Sequence, residues 1–153
     1  MSGPSVSAVS REDALRRFII IGLPRSGTTY LATLLNAHRD IACSGEQFNP
    51  YAIVGLEAEE RRPGALLARD RAPLVFMERY FEAAEREGVS RVGFKYMLGH
   101  NVRILRRLVD YPETDLIYVW RENRLAQVAS LIKAAQSRRW AQTRADDHVT
   151  ERI

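Results

Sequence analysis

Short apolar runs alternate along the chain with longer segments in which apolar residues recur every three or four positions. The short runs predict buried strands at 18–21, 41–44, 91–96 and 116–120. The periodic segments predict amphipathic helices at 28–37, 74–87, 101–109 and 125–136. Pro50, Pro63 and a run of charged residues interrupt 47–71, which predicts mostly loop. Strands alternating with helices predict a three-layer α/β fold with a mainly parallel sheet flanked by helices.

Polar segments flank this pattern at both ends of the chain. Residues 1–13 predict a flexible tail, 14–140 a single domain, and 141–153 a polar tail. The last helix is predicted to pack on the sheet through a stripe at Leu125, Val128, Ile132 and Ala135. Few apolar residues follow Ser137 to close the core beyond that helix. We therefore expect an uncovered apolar edge, which a homo-oligomer would hide.

Composition narrows the class of protein and of ligand. The 153 residues are 46% hydrophobic and 27% charged, which is typical of a globular domain. Lys and Arg total 23 against 19 Asp and Glu, and this excess favours an anionic ligand without indicating a nucleic acid. The lone cysteine, Cys43, excludes an intrachain disulfide and suits a reducing, cytoplasmic location. With three dispersed histidines it makes no structural zinc site, and no apolar run is long enough to span a membrane.

The carboxyl ends of the four predicted strands carry charged residues. The first strand leads into Arg25 and Ser26, and the second leads into Glu46. Lys95 lies near the end of the third strand, and Arg121 follows the fourth. Ligands of parallel α/β sheets bind beyond the carboxyl ends of the strands. The sequence therefore predicts one site in which three cations and one carboxylate converge.

The segment from Gly22 to Thr29, the anion loop, has the glycine spacing of a phosphate-binding loop. It follows a predicted strand and opens a predicted helix, so backbone N–H groups and the helix dipole would face an anion. A plain strand–helix turn, with Thr28 and Thr29 as helix caps, is the alternative interpretation.

The anion loop differs from that of a nucleotide hydrolase. Thr28 stands at the usual lysine position, and the fourth strand ends in Trp120 and Arg121 instead of an Mg²⁺-binding Asp. This favours metal-free transfer from a phosphate-bearing donor. A P-loop kinase or NTPase and a non-catalytic nucleotide-binding module remain alternatives. A cysteine phosphatase is excluded because Asn49 stands where its Cys-x5-Arg loop needs an arginine, so Cys43 is expected to be a small buried residue.

Two motifs resemble those of the sulfotransferases that use 3′-phosphoadenosine 5′-phosphosulfate (PAPS). Residues 18–30, FIIIGLPRSGTTY, resemble their donor-binding loop, and 116–121, LIYVWR, followed by Ser130 resembles their second motif. Arg121 and Ser130 are nine residues apart, which is more like the bacterial carbohydrate branch, as in nodulation-factor and lipopolysaccharide-directed enzymes. The patches at 35–38, 44–46 and 92–95 agree with that branch. The resemblance extends over about 18–140. Because the resembled enzymes are much longer, it implies a domain that lacks a C-terminal portion, binds PAP more weakly than a full-length relative and transfers sulfate poorly or not at all.

The resemblance implies a donor site that binds PAPS and releases adenosine 3′,5′-bisphosphate (PAP) without a metal. The residues implied to hold the 5′-phosphosulfate are Arg25, Ser26, Gly27, Thr28 and Thr29. Arg121 and Ser130 would hold the 3′-phosphate, and Arg124 is a possible substitute for Arg121. The alternative interpretation of Arg121 and Ser130 is a surface arginine and a serine hydrogen-bonded to its own helix.

The resemblance also implies catalytic residues for transfer to a hydroxyl acceptor, in that branch a carbohydrate. Glu46 stands where carbohydrate-directed members have a glutamate base, and His100 is the alternative base. Lys95 would stabilise charge developing on the bridging oxygen, together with Arg25, or would only form an ion pair with Glu46 or Asp115 that organises the fold.

Overall fold

The computed structural model describes residues 16–55, 58–111, 114–138 and 140. The tails predicted at 1–13 and 141–153 lie outside these residues. The described strands are β1 (Arg16–Gly22), β2 (Ile41–Glu46), β3 (Ile53–Val54), β4 (Glu59–Glu60), β5 (Arg91–Met97) and β6 (Thr114–Val119). The described helices are α1 (Thr28–Asn36), α2 (Pro63–Arg71), α3 (Pro73–Arg86), α4 (Val102–Val109) and α5 (Arg124–Ser137). None of these helices is long and apolar enough to cross a membrane.

Four strands form a parallel sheet in the order β2-β5-β1-β6, and β3 and β4 form a separate antiparallel pair. Because β1 and β5 are central, their apolar residues are buried on both faces of the sheet. The predicted α/β fold with a parallel sheet flanked by helices is confirmed.

Two hydrophobic cores cover the two faces of the sheet. On one face Ile19 and Ile21 of β1 pack with apolar side chains of α3 and α4, including Met77, Phe81 and Leu108. On the other face the alternate β1 residues Phe18 and Ile20 pack with Ala32 of α1 and Cys43 of β2. The alternation along β1 therefore supplies both cores, as expected for a strand between two helical layers.

The prediction of mostly loop at 47–71 is wrong, because this region contains β3, β4 and the nine-residue α2. Pro63 occupies the first turn of α2, where its missing N–H costs nothing. The only buried residue of α2 is Arg69. A helix held to the protein by an arginine has no apolar stripe, so hydrophobic periodicity could not reveal it.

The predicted packing of the α5 stripe on the sheet is also wrong. Leu125 is 84% exposed, Val128 and Ile132 are each 52% exposed, and Gln127 and Ala134 are buried instead. Neighbouring β6 also exposes large side chains, at Leu116 and Tyr118, and Trp120 follows them. The described part of the chain therefore has an apolar surface along β6 and α5, and its burial in a homo-oligomer stays a prediction.

Candidate active site

The anion loop connects β1 to α1 in a backbone conformation that depends on glycine. Gly27 immediately precedes α1 with φ of 103°, in the left-handed region that favours glycine. A Cβ on Gly22 would lie 2.7 Å from Ser26 Oγ and 2.8 Å from the carbonyl oxygen of Val119. Both glycines are therefore needed for the loop to turn tightly against the end of β6.

The helix end and one buried hydroxyl fit an anion at this loop. No side chain caps the N-terminus of α1, where backbone N–H groups lack intrahelical partners. Ser26 is 8% exposed, and its Oγ has no hydrogen-bond partner among the described atoms. An unpaired buried hydroxyl is costly unless a ligand or water satisfies it. A bound phosphate would satisfy this hydroxyl, which supports the interpretation of the loop as an anion site over a plain turn.

Arg25 joins the anion loop to the second motif. Its backbone has φ of 64°, and its Nε donates a hydrogen bond of 2.9 Å to Ser130 Oγ on α5. Its Nη1 donates to the carbonyl oxygen of Trp140 at 2.7 Å. The structure thus brings together Arg25 and Ser130, the residues that the resemblance assigns to the two ends of the donor.

Gln127 is a second connection between α5 and the anion loop, and sequence analysis missed it. This side chain is buried, and its Nε2 donates to the carbonyl oxygen of Pro24 at 2.8 Å. It lies one turn before Ser130 on α5, so both side chains meet the loop from one face of the helix. The sequence did contain a signal for this contact, because Gln127 lies three residues before the predicted Ser130 and therefore on the same face of a helix.

Arg121 and Arg124 lie beside this junction. Arg121 is half-buried just beyond the end of β6, and Arg124 is exposed at the start of α5. The Arg124 guanidinium carbon lies 6.0 Å from the centre of the Trp120 ring, a cation–π distance. Both arginines therefore stay candidates for a phosphate ligand at this edge.

Lys95 contacts both the anion loop and the candidate base. Its Nζ donates to Thr29 Oγ1 at 2.8 Å and lies 3.3 Å from Glu46 Oε1. The Lys95 side chain is 9% exposed, and that of Glu46 is 21% exposed. The ion pair anticipated for Lys95 is present, and the same ammonium also reaches the loop. Fold organisation and catalysis are therefore compatible roles for one residue.

An irregularity in β2 directs Glu46 to this face of the sheet. Cys43 is in register with Gly93 and Ser44 with Phe94, but the register then shifts so that Glu46 faces Lys95. Since side chains alternate along a strand, a regular β2 would have placed Glu46 on the opposite face. The residue passed over is Gly45, so the bulge sets the position of the carboxylate.

Asn49 orients the second oxygen of the carboxylate. Its Nδ2 donates to Glu46 Oε2 at 2.7 Å, while its own Oδ1 accepts from the backbone N–H of Tyr51. Lys95 and Asn49 therefore hold the two oxygens of Glu46 from two directions. Sequence analysis considered Asn49 only when excluding a phosphatase, although an amide three residues after a candidate base could have indicated this contact.

His100, the alternative base, lies in the same charged neighbourhood. Burial lowers the pKa of His100, Glu46 opposes that shift, and the charges of Arg69 and Lys95 favour it. Its buried Nδ1 has no hydrogen-bond partner among the described atoms. The imidazole is therefore neutral at pH 7, with a nitrogen available for a hydrogen bond.

The described part of the candidate site contains a carboxylate, that of Glu46, but no cluster of metal ligands. Among the described residues, no group of three or more His, Cys, Asp or Glu side chains is placed to hold a metal ion. The Glu46 carboxylate is engaged by a cation and an amide. The arrangement can accept a proton and stabilise negative charge.

We expect Cys43 to resist alkylation in the folded protein at pH 8. Burial raises the pKa of its thiol to about 12, and alkylation requires the thiolate. The side chain of Asn36 also clamps the backbone of Cys43 through two hydrogen bonds of 2.6 Å. Mass spectrometry after iodoacetamide treatment checks this, with protein unfolded in guanidinium as the reactive control. Native labelling at the unfolded rate would contradict the burial.

A sequence model of the sulfotransferase family matches residues 17–152. The chain is similar to Nodulation protein H of Rhizobium meliloti (strain 1021), with 29% identity over 132 residues, 84% of this chain and 51% of that relative. It is 30% identical to Nodulation protein H of Rhizobium tropici over 126 residues, 80% of this chain and 48% of that relative. The chain thus spans about half the length of the curated relatives it matches. No solved structure matches it significantly.

The family match starts within β1 and extends beyond α5, so it includes both parts of the site. One part is the anion loop with Ser130, and the other is the group formed by Glu46, Lys95 and Asn49. The resemblance noted in the two sequence motifs agrees with this match over nearly the whole described domain. On these findings the chain belongs to the sulfotransferase family.

Proposed function

We propose that this domain transfers a sulfuryl group from PAPS to a hydroxyl of a carbohydrate acceptor. The observation that carries the proposal is the position of Lys95, whose buried Nζ contacts Thr29 of the anion loop and Glu46 at once. A donor bound at the loop and a hydroxyl bound at Glu46 would both lie close to this ammonium. Such an arrangement suits group transfer between two ligands.

The donor would be held by the anion loop and by α5. The buried hydroxyl of Ser26, the N-terminus of α1 and Thr29 would bind the 5′-phosphosulfate with Gly27 and Thr28. Ser130 and Arg121 would bind the 3′-phosphate, and the observed Arg25–Ser130 hydrogen bond supports nearness of the two groups. PAPS supplies the sulfuryl group, and PAP is the product that keeps both phosphates.

Glu46 would accept the proton of the acceptor hydroxyl as its oxygen bonds to sulfur. One S–O bond forms to the acceptor while the S–O bond to the phosphate breaks, and the electron pair stays with PAP. Lys95 would stabilise negative charge on the oxygen that joins sulfur to phosphate, and Arg25 would assist from the anion loop. His100, neutral at pH 7, would serve as a hydrogen-bonding neighbour, or as the base if Glu46 does not.

The proposal that the acceptor is a carbohydrate rests on resemblance to carbohydrate-directed sulfotransferases and not on a described pocket. The Arg121–Ser130 spacing and the glutamate after α1 are features of the carbohydrate-directed branch, and the relatives reported above are named nodulation proteins. We place the reaction in the cytoplasm, where the lone buried thiol of Cys43 would remain reduced.

The proposal is tested by comparing nucleotides and then by transfer. Calorimetric titration is expected to show PAP binding that does not depend on Mg²⁺ and exceeds ATP binding at least tenfold. Labelled PAPS with a panel of oligosaccharides would then measure sulfuryl transfer. ATP binding that requires Mg²⁺ would favour a P-loop kinase or NTPase. PAP binding without transfer to any acceptor would favour a non-catalytic nucleotide-binding module.

A further inference from the structure

We infer that Arg69 is the positioning residue for Glu46 and acts through Asn49, an inference that rests on the proposed function. Arg69 lies on α2, in the region where no site residue was predicted. It touches neither the anion loop nor Glu46 in any described contact. Its effect on the reaction would therefore be indirect.

The guanidinium of Arg69 is buried against the loop that follows β2. Arg69 is 2% exposed, and its Nη1 donates to the carbonyl oxygens of Gln47 at 2.9 Å, Asn49 at 2.9 Å and Ala52 at 3.3 Å. Its guanidinium carbon also lies 5.7 Å from the centre of the Phe48 ring. One nitrogen thus gathers three carbonyls of a single turn, which fixes the shape of residues 47–52.

This turn carries the amide that orients the candidate base. Asn49 receives the Arg69 hydrogen bond on its carbonyl oxygen and donates from its side chain to Glu46 Oε2 at 2.7 Å. The backbone N–H of Asn49 also donates to the carbonyl oxygen of Glu46 at 3.2 Å. The connection from Arg69 to the carboxylate is therefore continuous and involves one intermediate residue.

The chemistry at this position favours arginine. Its ion pair with Asp70 uses Nε at 2.7 Å, which leaves the Nη1 end free to point at the carbonyls. A lysine has a single nitrogen and cannot hold the carboxylate and the carbonyls in the same fixed fork. A purely stabilising role would need only a well-packed buried side chain. The placement of the guanidinium on the backbone of Asn49 indicates control of geometry.

Turnover in a double-mutant cycle tests the inference. Arg69→Met is expected to lower kcat about 10- to 50-fold, because a small displacement of the base slows proton transfer. PAP affinity should stay within about twofold. In an Asn49→Ala background the same substitution is expected to change kcat by less than about threefold. Arg69→Lys, which retains the charge, is expected to restore part of the loss. The matched control is Arg71→Met, an exposed arginine of the same helix.

Equal effects of Arg69→Met with and without Asn49, or an unchanged kcat, would overturn the inference. Thermal melts identify variants that do not fold, and Arg69→Lys then takes the place of Arg69→Met in the cycle. The NMR signal of the Glu46 side-chain carboxyl, assigned with Glu46→Gln, gives a readout without turnover. It should shift in the Arg69 variant only when Asn49 is present. If the wild-type protein transfers no sulfuryl group, the proposed function fails, and this signal alone decides whether Arg69 orients Glu46.

Discussion

Glu46→Gln is expected to lower sulfuryl-transfer turnover about a hundredfold or more while leaving PAP affinity unchanged. The amide keeps the size of the side chain but cannot accept a proton from the acceptor hydroxyl. PAP binding should persist because the anion loop, between β1 and α1, is hydrogen-bonded to Lys95 and not to Glu46 in the described contacts. The measurements are initial rates with labelled PAPS and calorimetric titration with PAP.

The matched control is Glu85→Gln, since Glu85 is an exposed carboxylate on α3. It removes the same charge and should leave turnover within about twofold. Unchanged turnover in Glu46→Gln would transfer the role of base to His100. That outcome would also reduce Lys95 and Glu46 to a structural ion pair.

Arg25→Ala is expected to weaken PAP binding by about 2 kcal/mol, or roughly 30-fold. The substitution removes the guanidinium that donates to Ser130 Oγ at 2.9 Å, and with it the connection between the anion loop and α5. A charge-assisted hydrogen bond to a phosphate would be lost as well. Arg121→Ala is expected to have an effect of similar size at the other end of the donor.

Arg39→Ala is the control for charge, because the Arg39 side chain is 91% exposed and pairs only with neighbouring Asp40 in the described contacts. It should change PAP affinity by less than about twofold. Affinity of the wild-type protein should also fall as salt is added, since exposed cations are screened. Normal PAP binding by both Arg25→Ala and Arg121→Ala would show that the donor site is misplaced.

The sequence was sufficient to predict the parallel sheet and the edge of the sheet at which the candidate site residues meet. The run from Phe18 to Ile21 is apolar at every position because both faces of β1 are covered. Such a run can be recognised from the sequence alone. Once the strands are known to be parallel, the rule on carboxyl ends places Arg25, Glu46 and Lys95 at one edge. The described structure brings Glu46 within 3.3 Å of Lys95.

The sequence was not sufficient where geometry depends on one irregular residue or on a polar side chain in the core. Gly45 gives no sign of a bulge until its partner strand is known, yet the bulge decides which face Glu46 occupies. In the sequence, Arg69 is one more charged residue of a segment predicted to be loop, whereas in the structure three backbone carbonyls make its burial favourable. The α5 stripe reads as core because periodicity identifies a helix face and not what covers it.

Every neighbour in the four-stranded sheet is distant along the chain, which affects how the protein is made. Residue 16 pairs with residue 91 and residue 17 with residue 114, so β1 leaves the ribosome long before either of its partners. At about 5–20 residues per second, Ile19 and Ile21 remain for several seconds of synthesis without the α3 and α4 side chains that cover them. The anion loop is completed last, when α5 arrives with Ser130. Nascent chains stalled before α5 therefore carry the loop sequence without the partner that fixes Arg25, and chaperones would meet them with β1 exposed.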